Sequence, residues 1–349
     1  MSLPILGQEA QLSQVQQTAL KKQQYRLVGN HSAVKVCQWT KNMIKGKGGC
    51  YKYKFYGIRS HQCMQMTTSM FCANRCTFCW RGEKAPVSKT WYGPIDPPDY
   101  IIREAVRRHL SLLAGFGGSD SVNNYMKEQK QDVKHVALSL TGEPITYPLL
   151  NEILKQFHEK KVSTFLVTNA QFPEAMEKIE NVTQLYISVD APDKISLKNI
   201  DRPLFKDYYE RLLQCLDIMA KKKFRTCIRL TVIKNNNDNN FEGYAALIKR
   251  GQPDFIEAKS YMHVGASQKY HKKEDMPTEE DVMKFSQRLI EHLPDYEIID
   301  EHEPSRAILM IKKSLNKKQY IDFHAFFNTV NSGKRATTED YSKERMMQN

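Results

Sequence analysis

Between residues 65 and 261, apolar runs of strand length alternate with amphipathic stretches of helical period, as repeated βα units require. A parallel strand needs a crossover before its neighbour can pair, so this alternation favours a parallel sheet with helices outside it. The strands read as Gln65–Phe71, Val133–Ser139, Ser163–Val167, Gln184–Val189, Thr226–Val232 and Asp254–Tyr261. Helical patterns lie between them at Tyr100–Leu113, Leu149–Glu159, Pro173–Ile179, Tyr208–Lys222 and Phe241–Lys249. A last helix opens at Pro277-Thr278-Glu279-Glu280, with acids in its first turn where the helix dipole favours them. Six units fall short of the eight that close a full barrel, so an open α/β (β/α)6 partial barrel is expected. Residues 1–62 read as an N-terminal extension and 63–293 as the core. Residues 294–349 read as additional strands (Tyr296–Ile299, Ala307–Lys312, Tyr320–Phe323) and a charged tail. The polar segment Gly115–Asp132 is either a substrate-facing loop or a surface insertion.

A second constraint follows the first strand. Cys72-Ala-Asn-Arg-Cys76-Thr-Phe-Cys79 sets three thiols on one short loop. Such a loop reaches three corners of an iron–sulfur cubane and leaves one iron open, whereas a structural zinc site usually takes four ligands in two separated pairs. No nearby C-x2-C or H-x3-H pair completes such a tetrahedron. Six of the eight cysteines lie between residues 37 and 79, and in a long chain with 41% hydrophobic residues they favour metal ligation over disulfides. Cys215, in a helical run, and Cys227, in a strand, read as core residues. No apolar run could span a bilayer, and the N-terminus has neither a secretory nor a transit pattern. A soluble cytoplasmic monomer with no membrane partner is expected.

The cysteine loop resembles that of the radical S-adenosylmethionine enzymes. Thr141-Gly142-Glu143-Pro144, after the strand Val133–Ser139, is similar to their Gly-Gly-Glu-Pro motif, which binds the cofactor's amino group. A lone Gly-Glu-Pro is more often a turn, but its place at a strand end after the cysteine loop gives it weight. Cys37, Cys50 and Cys63 follow one another at intervals of 13 residues. This spacing resembles a second three-cysteine site in one radical SAM family, the tRNA 4-demethylwyosine synthases of wybutosine biosynthesis in their archaeal form. The resemblance runs through Cys50-Tyr51-Lys52, Cys72–Arg81, Ser139–Pro144, Phe255–Gly265 and Glu303–Leu309, most of the chain.

The resemblance implies a radical SAM partial TIM barrel, two [4Fe–4S] clusters held by Cys72, Cys76, Cys79 and by Cys37, Cys50, Cys63, and S-adenosyl-L-methionine. It implies a lyase that condenses carbons from pyruvate with N1-methylguanosine, 3′ of the anticodon in tRNA-Phe, to form the tricyclic base 4-demethylwyosine. Lys52 corresponds to the family's Schiff-base lysine, and Lys54, on the same expected strand face, is the alternative. No flavodoxin-like domain is legible in the chain, so the electron donor is expected to be a separate flavodoxin or ferredoxin.

Active sites of parallel βα folds collect at the carboxyl ends of strands. By that rule Thr168, Asn169, Ser188 and Asn236 are candidates for the cofactor's ribose and carboxylate, although strand-end polar residues also serve as turn formers. Lys259 and His263 carry the same ambiguity. The net charge of +13 favours an anionic partner. Lys41, Lys45, Lys47, Lys52, Lys54 and Arg59 alternate with Trp39, Tyr51, Tyr53, Phe55 and Tyr56, a mixture that can neutralise phosphates and stack on bases. A solvated surface over ordinary strand aromatics explains it equally well until the resemblance is added, which favours tRNA and makes Lys41, Lys45, Lys47, Lys54 and Arg59 the RNA-binding candidates. A radical enzyme acting on a small molecule leaves this segment unexplained. A non-enzymatic RNA-binding protein leaves the strand-end motifs idle.

Overall fold

The computed structural model describes residues 11–81, 85–114 and 128–345. Six parallel strands form its centre: β3 (Cys63–Thr67), β4 (His135–Leu138), β5 (Ser163–Thr168), β6 (Gln184–Ser188), β7 (Thr226–Val232) and β8 (Phe255–Ser260). Antiparallel pairs extend both ends of this arc. β1 (Arg26–Val28) and β2 (Ser32–Lys35) add beside β3, and β10 (Ala307–Lys312) with β9 (Tyr296–His302) adds beside β8, giving one ten-stranded sheet. The expected open six-unit barrel is therefore present, with β1 and β2 an addition that the sequence pattern did not show.

Alternation along each strand divides the side chains between two cores. Outward residues such as Met64, Leu166, Ile187, Ile228 and Ile256 pack under the surrounding helices. Inward residues Phe165, Tyr186, Cys227, Phe255 and Leu309 join Tyr51, Phe55 and Tyr56 in a second core inside the arc. Cys215 and Cys227 are buried in these cores, one in each.

Two segments depart from the expected pattern. Tyr51–Tyr56 is a helix, not a strand, closed by Gly57 in the left-handed region. Helical spacing carries Tyr51, Phe55 and Tyr56 to one buried face, so Lys52 and Lys54 do not share a strand face. The tail is also more structured than its charge suggests. Only Tyr320–Ile321 pairs as a strand, β11, with Ser342–Lys343 as β12. Asp322 then caps a helix over Phe323–Asn331. These elements close the mouth where the parallel strands begin. Arg225, fully buried, donates to Gln184 Oε1 (3.1 Å), Ser342 Oγ (2.5 Å) and the Gln319 carbonyl (2.7 Å) and thereby ties the tail to the strands. Of the polar insertion, residues 115–127 lie outside the described residues.

Candidate active site

The cysteine loop lies beyond the carboxyl end of β3 and is held through its backbone. The N–H groups of Arg75 and Thr77 donate to the carbonyls of Asp201 (3.0 Å) and Ile200 (2.8 Å), which end the helix Lys194–Asp201. Leu204 N–H donates to the Ala73 carbonyl at 2.8 Å, and Cys72 bridges to Val87. Asn74 donates to Asp201 Oδ2 at 3.1 Å. From the other side Ala266 N–H donates to the Trp80 carbonyl at 3.2 Å. Gly265 there has φ +62°, and a Cβ on it would stand 2.6 Å from that same oxygen.

Burial pushes the Cys72 thiol up to about 11, and Cys76 well above the usual thiol range. Such thiols would ionise on metal binding, with release of their protons. Arg81 is placed to compensate: burial works against its charge, but Cys72 and Cys79 together outweigh that and hold it firmly protonated.

The Gly142-Glu143 turn seats against this loop. Gly142 has φ +66°, and a Cβ there would lie 1.9 Å from the Ser69 carbonyl, so no other residue fits without backbone movement. Glu143 is buried, and burial pushes its carboxyl up to about 7. Its Oε2 accepts from Asn169 N–H at 3.1 Å, while Oε1 is buried without a partner among the described residues, as is the hydroxyl of Thr141. A buried acceptor left open beside three thiols fits a ligand amino group, and these residues suit a three-thiolate cluster with bound S-adenosylmethionine.

The other strand-end candidates divide. Asn169 donates its side-chain amide to Cys72 Sγ at 3.3 Å. Thr168 Oγ1 accepts from Ala170 N–H at 3.2 Å, and its hydroxyl favours the ionised form of Glu143. Ser188 pairs in register with Arg229. Asn236 is exposed and its amide turns back to the Lys234 carbonyl. Asn237 is the inward residue, bonded to the carbonyls of Asp190 and Thr231. His263 bonds the His271 carbonyl at 3.0 Å.

The second trio owes its even spacing to element starts. Cys37 precedes the helix Gln38–Ile44, Cys50 precedes Tyr51–Tyr56, and Cys63 opens β3. Burial, then repulsion among these thiols, raises Cys37 and Cys63 above the usual range, with Lys52 opposing. No three Cys, His, Asp or Glu side chains among the described residues converge as a single-ion site. Lys52 turns inward, its Nζ 4.0 Å from the ring centroid of Tyr186 and 5.8 Å from that of Phe165. Burial lowers its ammonium from the usual lysine range; Glu257, Cys50 and Cys63 pull it back, while Arg229 adds to the depression.

A cavity of about 290 Å3 separates the cysteine loop from β7 and β8, lined by Cys72, Cys76 and Cys79, by Thr141 and Gly142, and by Arg229 and Lys259. Arg229 was not singled out from sequence, yet a charged residue in the run Cys227-Ile-Arg229-Leu-Thr231 occupies an inward position, and that was its available signal. Of the RNA candidates, Lys41 lies in the last turn of the helix Gln38–Ile44, Lys45 caps it, and Lys47 is exposed in the turn that follows. Lys54 and Arg59 instead line a separate cavity of about 1100 Å3, with Lys134, Lys161, Lys343 and Arg345 among its walls. Lys54 pairs there with Asp300 at 3.1 Å.

A parallel arc with a three-cysteine loop at the carboxyl end of its first strand defines a radical SAM protein. Residues 66–248 match the radical SAM superfamily, and residues 250–312 match a second family described as wyosine base formation. The chain is 46% identical over 315 residues to the S-adenosyl-L-methionine-dependent tRNA 4-demethylwyosine synthase TYW1 of Xenopus laevis, covering 89% of this chain and 43% of that one. It thus spans less than half the length of that curated relative. A solved structure of TYW1 with a lysine-pyruvate adduct bound is 36% identical with a TM-score of 0.80, covering 90% of this chain and 99% of the other. A crystal structure of archaeal TYW1 is 34% identical with a TM-score of 0.71, covering 87% and 97%. The chain belongs to the TYW1 family of the radical SAM superfamily. Among the described residues no helix is long and apolar enough to cross a membrane.

Proposed function

We propose that the chain forms 4-demethylwyosine on tRNA, from N1-methylguanosine 3′ of the anticodon in tRNA-Phe and from pyruvate. The observation that carries this reading is Lys52: a lysine held inside the arc, its charge influenced by Cys50 and Cys63 of the second trio and its ammonium weakened by burial. A related protein has been solved with a lysine-pyruvate adduct, which supports the same role for this inward lysine.

Cys72, Cys76 and Cys79 would hold one [4Fe–4S] cluster and Cys37, Cys50 and Cys63 another. With S-adenosylmethionine, the first would supply a 5′-deoxyadenosyl radical for removing hydrogen from the N-methyl group. Glu143 Oε1, buried without a partner among the described residues, would accept from the cofactor's amino group, and Gly142 lets the backbone approach the loop without a side chain between. Arg81 balances the thiolates. The neutral Lys52 amine attacks the keto carbon of pyruvate; a C–N bond forms, the carbonyl oxygen leaves as water, and the substrate is fixed within the arc. Basic side chains of the N-terminal segment grip the anticodon arm, with Tyr53 the exposed aromatic beside them, since Tyr51, Phe55 and Tyr56 are buried in the inner core. A separate flavodoxin or ferredoxin is the class of protein suited to deliver the electron.

The test is anaerobic incubation of the reconstituted protein with tRNA containing N1-methylguanosine, S-adenosylmethionine, a reductant and isotope-labelled pyruvate. Label is expected in a new tricyclic nucleoside. S-adenosylmethionine cleavage without label in the RNA would defeat the proposed substrate pair.

A further inference from the structure

Three cations meet inside the arc around one carboxylate. Arg229 on β7 and Glu257 on β8 are register partners, as are Thr231 and Lys259 two residues on. Glu257 Oε1 accepts from Tyr56 O–H at 2.8 Å and its Oε2 is buried without a donor among the described residues. Its charge is felt by Lys52, Arg229 and Lys259 alike. Neither Arg229 nor Lys259 has a side-chain hydrogen bond or ion pair among the described residues, and Arg229 Nε is buried with no acceptor. Both line the cavity beneath the cysteine loop. Half-buried positive charge, with Arg229 Nε left without an acceptor, favours an anion here.

We propose that Arg229 and Lys259 form the seat for the carboxylate of the α-keto acid that reacts with Lys52. This rests on the assignment of Lys52 made above. A guanidinium presents a planar fork that matches a carboxylate, and an ammonium beside it adds a point charge. Two sources of carboxylate are at hand, the keto acid and the methionine part of S-adenosylmethionine. Arg229 favours the first, because it shares the surroundings of Lys52: both sense Glu257, and Arg229 also senses Tyr186, the ring over which Lys52 Nζ stands at 4.0 Å. Burial, then repulsion from Arg229, lowers Lys259 to about 8, and an arriving carboxylate would secure its proton. The seat selects α-keto acids over neutral ketones.

The reconstituted holoenzyme tests this with two keto compounds, pyruvate and its uncharged methyl ester, each trapped on Lys52 by cyanoborohydride across a concentration series. Lys259→Met should raise the half-saturating pyruvate concentration about ten-fold or more, the loss expected for one charge-assisted hydrogen bond. It should leave the ester curve in place, and Lys259→Arg should restore most of the preference for pyruvate. Equilibrium dialysis of S-adenosylmethionine should be unaffected by Lys259→Met. Weaker S-adenosylmethionine binding with pyruvate unchanged would assign the seat to the methionine carboxylate and overturn the proposal, as would an equal shift for pyruvate and ester. Dialysis of labelled pyruvate separates the two assignments. Binding that depends on Lys259 without any trapped adduct would sink the role of Lys52 and keep the seat; binding indifferent to Lys259 would sink the seat.

Discussion

Asn169 links the two cofactor motifs: its side-chain amide donates to Cys72 Sγ at 3.3 Å while its backbone N–H donates to Glu143 Oε2 at 3.1 Å. An N–H aimed at a cluster thiolate stabilises the added electron and raises the reduction potential. Asn169→Leu keeps the volume and removes the donor. The potential of the cluster on the Cys72 loop should fall, read by a redox titration followed by electron spin resonance, and reductive cleavage of S-adenosylmethionine should slow. An unmoved potential would leave Asn169 as a turn former alone.

Glu143 gives opposite pH signatures with and without cofactor. Its carboxyl is raised to about 7 by burial, against about 4.5 in the unfolded chain, so between those values the folded protein holds a proton that the unfolded chain has released. Stability of the cofactor-free protein should therefore fall as pH rises through this window, by about 3 kcal/mol, and Glu143→Gln should abolish the fall. Affinity for S-adenosylmethionine should instead grow with pH up to about 7, because the amino group needs the ionised acceptor. Denaturant melts and dialysis at several pH values read the two trends.

The six parallel strands were legible because their inward and outward residues are both apolar over most of their length, which makes near-continuous runs. β1 and β2 are three and four residues long and lack such a run, and the Gly29-Asn30 turn between them was the signal available. The helix Tyr51–Tyr56 was misread because its basic residues alternate with aromatics at period two, while Tyr51 and Phe55 share a face only at helical spacing. Both cysteine trios were visible as spacings. The surroundings of Arg229 and Lys259 were not, since they are set by Glu257, which among the described residues accepts only from Tyr56, two hundred residues away. Asn236 and Asn237 are neighbours in sequence, and only the turn decides which faces in.

Lys52→Arg retains the positive charge over Tyr186 but cannot form a Schiff base. The variant should keep both clusters and its affinity for tRNA, and lose the tricyclic product. Borohydride with pyruvate should mark Lys52 in the peptide map of the wild-type protein and nothing in the variant. A fully active variant, or an adduct confined to Lys54, would remove Lys52 from the mechanism.

Arg225 governs the closed end of the arc. It is fully buried, spans β6 and the C-terminal segment by its three hydrogen bonds, and lies 4.3 Å from the Phe255 ring centroid. Arg225→Ala leaves the Gln319 carbonyl and the Gln184 amide oxygen without that donor, at a cost of about 3–5 kcal/mol. Residues 313–345 should become sensitive to limited proteolysis well before the core melts. A variant with unchanged melting and cleavage would show that the tail is held by its apolar contacts alone.

The basic segments can be ranked by their salt dependence. Each phosphate contact contributes about 0.7–0.9 to the slope of log affinity against log salt, so a charge reversal at a contacting residue should weaken tRNA binding and flatten that slope by about one contact. Lys45→Glu and Lys47→Glu act beside the helix Gln38–Ile44, whereas Lys54→Glu and Arg59→Glu act in the cavity of about 1100 Å3. Lys54 already pairs with Asp300, so its reversal should flatten the slope less than reversal of Lys47, which is exposed. Filter binding across a salt series measures both quantities. An unchanged slope at Lys45 and Lys47 with a loss at Lys54 and Arg59 would move the RNA to the cavity side, and no change at any of the four would return them all to the solvated surface.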